Sequence, residues 1–221
     1  MLFTSRFWVS ALAAGMLSLS TLAVADDKGD YDQGYRQFYD GDMTSAMTSL
    51  RKAAAAGHVK AMVLLAEILD SSEFDEEAIA LYRQAAEKGD PDGMLGLGAM
   101  AAAGEGLKEK NPAEGLHWMR KAAELGQPQA VIVMAQAYLK GELGFTEADR
   151  NTPEALRWVK EAAQKDYLPA VDALAQAYQA GGMLSVAADP KLAAEYVAQS
   201  YKIRQIEPVK GKKKKKATAA S

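Results

Sequence analysis

Ser49-Leu50-Arg51-Lys52 spells Ser-x-x-Lys, the spacing that puts a hydroxyl nucleophile and a lysine on one face of a helix in enzymes that open β-lactam rings. That chemistry also needs Lys-Thr-Gly and Ser-Asp-Asn partner motifs, and the sequence has neither. The two histidines, His58 and His117, stand 59 residues apart without a cysteine or a paired carboxylate at ligand spacing, so no metal site is expected. Asp75-Glu76-Glu77 and Asp26-Asp27 are the densest acids. The trio falls where a helix should begin, and negative charge there offsets the unpaired amides of the first turn. The chain contains no Gly-x-Ser-x-Gly, no phosphate-cradling glycine loop and no basic aromatic patch for nucleic acid. No catalytic residue, cofactor or metal is expected, and the chain does not read as an enzyme.

The elements that carry these residues repeat. First alanines of Ala-Ala pairs fall at 53, 85, 122 and 162, so the steps are 32, 37 and 40 residues, the range of helix-pair solenoids. Four places before each first alanine stand Ser49, Leu81, Trp118 and Trp158, and seven before stand Ala46, Ala78, Gly115 and Ala155, all on one helical face. Ser49 thus holds a packing position. Four places after come Gly57, Gly89, Gly126 and Asp166, where the chain must turn with positive φ. A second helix follows, with a buried stripe such as Ala130-Val131-Met134-Ala135 or Ala170-Val171-Leu174-Ala175. Gly104, Gly141 and Gly181 then open loops of unequal length. Asn111-Pro112, Thr152-Pro153 and Asp189-Pro190 start the next helices as N-cap and first helical residue. Partial units close the array: Tyr31 to Leu50 in front, with Gly34, Phe38 and Gly41-Asp42, and Lys191 to Arg204 behind.

Residues 1–25 carry one positive charge, Arg6, an apolar run from Phe7 to Val24, and Ala23-Val24-Ala25 before two acids. This reads as a cleaved signal peptide, with a retained anchor as the alternative. No cysteine stands beside the site, which excludes a lipoprotein, and none stands anywhere in the 221 residues, so neither disulfide nor thiolate chemistry is available. The expected address is the periplasm; secretion or an outer-membrane address stays open. From Asp26 to Val209 the chain has 19 Lys and Arg against 29 Asp and Glu, whereas Lys210, Lys212, Lys213, Lys214, Lys215 and Lys216 make the end basic. Residues 207–221 are expected to be a disordered tail that contacts anionic lipid or polymer, or simply stays solvated.

The string Ala-Leu-x-Trp-x-x-x-Ala-Ala at Ala155 to Ala163, its variant from Gly115 to Ala123, and Ala-x-x-x-x-Ala-x-x-Tyr-x-x-Gly at Ala130 to Gly141 and Ala170 to Gly181 resemble the Sel-1-like repeat, a relative of the tetratricopeptide repeat. The resemblance covers about residues 43 to 204; its first unit lacks the large aromatic and the loop glycine, and its last is truncated. It implies an α/α superhelix and adaptor work in protein complexes, often in bacterial envelopes, and the repeats themselves predict an all-α, right-handed α/α superhelical repeat solenoid of about ten helices over 26–206. Some cysteine-rich members are reported to be β-lactamase-like, but those depend on disulfides this chain lacks.

Each second helix leaves one face unclaimed by its buried stripe. Ten, fourteen and seventeen places after the first alanine stand Val63, Glu67 and Asp70; Leu95, Ala99 and Ala102; Ile132, Gln136 and Leu139; Asp172, Gln176 and Gln179. The middle two triplets are mainly apolar and the outer two carry acids and amides, the plan of a concave groove for a protein or peptide of the envelope. An equal reading has Leu95, Ile132 and Leu139 merely packing on neighbouring helices. Recognition of a cell-wall or surface glycan by an exposed Tyr138 and Tyr178 region is the alternative from another class, and a β-lactamase-like hydrolase the weakest. A monomer without nucleic-acid partners is expected.

Overall fold

The computed structural model describes residues 19–205, with side chains from residue 28 onward. The expected signal peptide and the lysine tail, Lys210 and Lys212 through Lys216 included, lie almost wholly outside that range; of residues 19–25 only a helical backbone is described. Among the described residues there are ten α-helices, one short 3-10 turn and no strand. They are α1 (Leu19–Tyr39), α2 (Met43–Ala55), α3 (Val59–Asp70), α4 (Asp75–Glu87), α5 (Pro91–Ala103), α6 (Pro112–Glu124), α7 (Pro128–Lys140), α8 (Pro153–Gln164), α9 (Leu168–Ala180) and α10 (Pro190–Ile203). The 3-10 turn, Asp149–Asn151, precedes α8. The helices gather into two compact units, one ending at Lys110 and the other beginning at Asn111.

In the first unit, each helix packs on the next in sequence, from α1 to α5. Small residues set how close the axes come. A methyl group on Gly34 of α1 would stand 2.8 Å from Leu50 Cγ on α2, and one on Gly93 of α5 would stand 2.5 Å from Ala85 Cβ on α4. Leu50, Leu65, Leu69, Leu97 and Met100 fill the interior. In the second unit α6 packs on α7, α7 on α8, α8 on α9 and α9 on α10. Trp158 is fully buried there with Val131, Met134, Val171 and Leu174.

The joint inside each helix pair is the same four times. The amide of the fifth residue after the first alanine donates to that alanine's carbonyl: His58 to Ala53 at 3.0 Å, Asp90 to Ala85 at 3.1 Å, Gln127 to Ala122 at 3.0 Å and Tyr167 to Ala162 at 3.1 Å. This is the Schellman closure, and it requires a left-handed residue just before the donor. Gly57, Gly89, Gly126 and Asp166 supply it with φ of 100°, 88°, 81° and 56°. Asn111, Thr152 and Asp189 cap α6, α8 and α10 with their side chains, and a proline follows each.

The loops after α7 and α9 are anchored as well as capped. Phe145 stacks on Tyr138 with ring centroids 3.9 Å apart, Leu184 is fully buried, and Asn151 Oδ1 accepts the Leu184 amide at 2.8 Å. Ser185 Oγ donates to the Asn151 carbonyl.

Candidate docking surface

In the first unit, Leu95 and Ala102 on α5 and Asp70 on α3 are half-exposed, and Ala99 and Glu67 are exposed. Leu95 is therefore not sealed into the core. Val63 is the exception among the candidates: only 5 % of it is accessible, because α3 is buried almost all round. Tyr82 of α4 is buried with its ring over Gly96 of α5, at a distance that leaves no room for a methyl group on Gly96. Burial first, then the Glu67 and Asp70 carboxylates, push the Tyr82 phenol far above its ordinary value.

Glu67 is open to solvent on one side, yet desolvation on the other raises its carboxyl, with Asp92 adding to the rise and Lys60 opposing it. Partial burial also raises Asp70, helped by Asp75. Neither carboxylate has a hydrogen-bond or ion-pair partner among the described residues. Lys60 is already engaged by Asp90 at 2.7 Å and Asp92 at 2.8 Å. Burial works to lower its ammonium, but the two acids outweigh burial and hold it raised.

The corresponding face of the second unit is organised differently. Ile132 and Leu139 of α7 are half-exposed, and Gln176 and Gln179 of α9 are exposed. Its other two polar candidates are committed within the unit. Gln136 accepts from the Tyr167 hydroxyl at 3.2 Å and donates to Glu142 at 3.1 Å. Asp172 accepts from Ser200 at 2.8 Å and pairs with Arg204 at 2.5 Å.

The remaining candidates resolve into packing and capping. The Ser49 hydroxyl donates to Gln37 Oε1 at 2.8 Å and is nearly inaccessible, whereas Lys52 is exposed, so nothing in this arrangement prepares a nucleophile. His58 caps α3: its Nδ1 accepts from the Ala61 amide at 3.1 Å, and its ring stacks on Tyr31 at 4.3 Å. Gln127 caps α7 in the same place, with Oε1 2.6 Å from the Ala130 amide. Neither cap was marked in the sequence, because His and Gln are not favoured there; the one available signal was that each follows a turn glycine. His117 is exposed beside Trp118, which is itself half-exposed, with Lys121 over its ring at 4.7 Å. Trp118 therefore does not mark the buried face as Trp158 does; Met119 takes that role in α6. The trio Asp75, Glu76 and Glu77 occupies the first turn of α4, and Glu77 pairs with Arg51 of α2.

Tyr138 and Tyr178 are 2 % and 6 % accessible, which removes the aromatic platform that a glycan would stack on. They are covered because Phe145 lies on one and Tyr196 on the other, the latter pair parallel within 3°. Among the described residues no cluster of three metal-ligating side chains occurs, and no helix is long and apolar enough to cross a membrane.

This architecture has counterparts. The Sel1 repeat model matches residues 75–90, 91–127, 128–167 and 169–202. The chitin synthase regulator SKT5 of Saccharomyces cerevisiae is 32 % identical over 141 residues, which is 61 % of this chain and 20 % of that protein, so the chain spans about a fifth of this relative. A protective antigen of uropathogenic Escherichia coli with an SLR fold superposes with a TM-score of 0.68 at 27 % identity, covering 86 % of this chain and 41 % of the antigen's. A Sel1 repeat protein from Oxalobacter formigenes gives a TM-score of 0.60 at 24 % identity, covering 79 % and 70 %.

Proposed function

The chain belongs to the Sel1 repeat family, and on that footing we propose that it is an exported periplasmic scaffold that binds a protein or peptide and supports assembly of a bacterial envelope complex. The work is binding without turnover. The observation that carries the reading is the set of apolar side chains, Leu95 in one unit and Ile132 and Leu139 in the other, which their own unit leaves half-uncovered on second helices. Within each unit, half-uncovered apolar side chains beside acids or amides fit a partner segment that pairs an apolar stripe with polar flanks. The sequence of residues 1–25 supports export, and contact of the lysine tail with anionic lipid belongs to the same proposal.

Crosslinking in intact cells, with Leu95→Asp and Ile132→Asp variants alongside, tests it. Both variants should remain folded by circular dichroism and lose the crosslinked partner. A variant that unfolds would instead assign its side chain to packing, and unchanged crosslinks would move the docking surface elsewhere.

A further inference from the structure

Several partly buried acids of this chain meet a cation. Asp90 has Lys60, Asp172 has Arg204, and Glu154 has Arg120. Glu67 and Asp70 have no ion-pair partner among the described residues, although packing partly desolvates both, and Lys60 acts on Glu67 only at a distance. They sit three residues apart on α3, so their Cβ atoms share one face about 6 Å apart. Leu95, Ala99 and Ala102 of α5 supply half-open apolar surface in the same unit. Glu67 also edges a hollow of about 200 Å³ whose other walls include Phe38, Met43 and Met47. A largely apolar hollow with one carboxylate in its wall suits the aliphatic stem and charged head of a lysine or arginine.

Charge along the chain points the same way. Residues 26–110 hold nine Lys and Arg against seventeen Asp and Glu, whereas residues 111–209 hold ten against twelve. The first unit therefore carries most of the negative charge, and it is there that the face has carboxylates to spare.

We propose that the α3–α5 face of the first unit receives a cationic amphipathic helix of a partner protein, with two basic side chains one turn apart pairing with Glu67 and Asp70 and an apolar stripe seated on Leu95, Ala99 and Ala102. The proposal rests on the docking function above and names the chemistry of the partner. Each docked cation restores the compensation that burial has denied these carboxylates, and the hollow beside Glu67 gives one basic stem a specific seat. The spacing of the acids sets the spacing of the cations, so the ligand is a helix with basic residues at i and i+3 or i+4 and not merely a basic polymer. The chain's own lysine tail lacks the apolar stripe and is a poor occupant.

The test is selection of a randomised helical peptide library against the full chain, repeated with Glu67→Gln/Asp70→Asn and with Leu95→Asp. Peptides selected on the natural chain should be enriched in Lys or Arg at i, i+3 or i, i+4 spacing beside an apolar stripe. Their affinity should fall about tenfold on the double variant, the size expected of two part-buried charge pairs, and the selection on that variant should lose its basic bias. The Leu95→Asp chain should select none of them. Absence of basic enrichment, or a basic bias that persists without the two acids, overturns the inference. If basic enrichment is absent while Leu95→Asp still abolishes selection, the docking face stands and only the cationic partner falls. If Leu95→Asp selects the same peptides, the docking face itself falls, and this inference with it. A synthetic peptide of residues 206–221 that competes as strongly as the selected helices would assign the surface to the chain's own tail and overturn the partner proposed here.

Discussion

Ser49 is where sequence and structure meet most sharply. A Ser-x-x-Lys spacing is shared by a nucleophile and by any helix that happens to bury a serine one turn before an exposed lysine, and in the structure the partner of the hydroxyl separates them. Here that partner is Gln37 across the α1–α2 contact. Ser49→Ala should cost about 1 kcal/mol, because it removes the hydrogen bond and strands the Gln37 carbonyl, while Lys52→Ala should stay within about 0.5 kcal/mol; urea unfolding measures both. Trp158→Ala should cost about 3–5 kcal/mol in the same experiment, since the indole is fully enclosed. His58→Ala should cost about 1 kcal/mol for the lost α3 cap. The equal sequence positions of Trp118 and Trp158 promised equal burial, and the structure denies it. Periodicity gives the direction of a side chain, and what covers it depends on neighbours far along the chain.

At the scale of the helix, nearly everything that fixes a boundary was written locally. Glycine at the end of α2, α4 and α6, and proline at the start of α6, α8 and α10, stand where the backbone needs them. Axis separation was legible too, as small residues at regular spacing. Gly93→Ala should destabilise the chain by about 1–3 kcal/mol, because the added methyl meets Ala85 Cβ at 2.5 Å and the α4 backbone cannot yield as a flexible side chain would. The anchoring of the loops was not legible. Asn151 binding the Leu184 amide joins residues 33 apart, and no local pattern encodes such a pair. The candidate face was readable as a list of positions, but which of its polar members are spent internally, Gln136 and Asp172, and which are free, Glu67 and Asp70, depends on the fold.

For the molecule as a whole, the uncompensated acids give stability a definite pH dependence. The Glu67 and Asp70 carboxyls titrate higher in the folded chain than in the unfolded one, so the folded chain binds protons more tightly across that interval. Their contribution therefore becomes less favourable as pH rises through the carboxylate range, and more favourable as pH falls. Glu67→Gln and Asp70→Asn should each raise the melting temperature slightly at pH 7 and change it less at pH 4; thermal melts at the two pH values check this. Binding of a cationic helix should show the opposite trend and weaken on acidification, because protonation removes the charge that attracts it.

The hydrogen bond from the residue after each turn back to the first alanine runs between main-chain atoms alone. A gene segment that encodes one helix pair thus carries its own elbow, and needs no matching residue elsewhere to keep it bent. Duplication or recombination can lengthen such a chain by whole pairs without re-inventing the joint, and the outward-facing side chains of each copy are then free to drift toward new ligands.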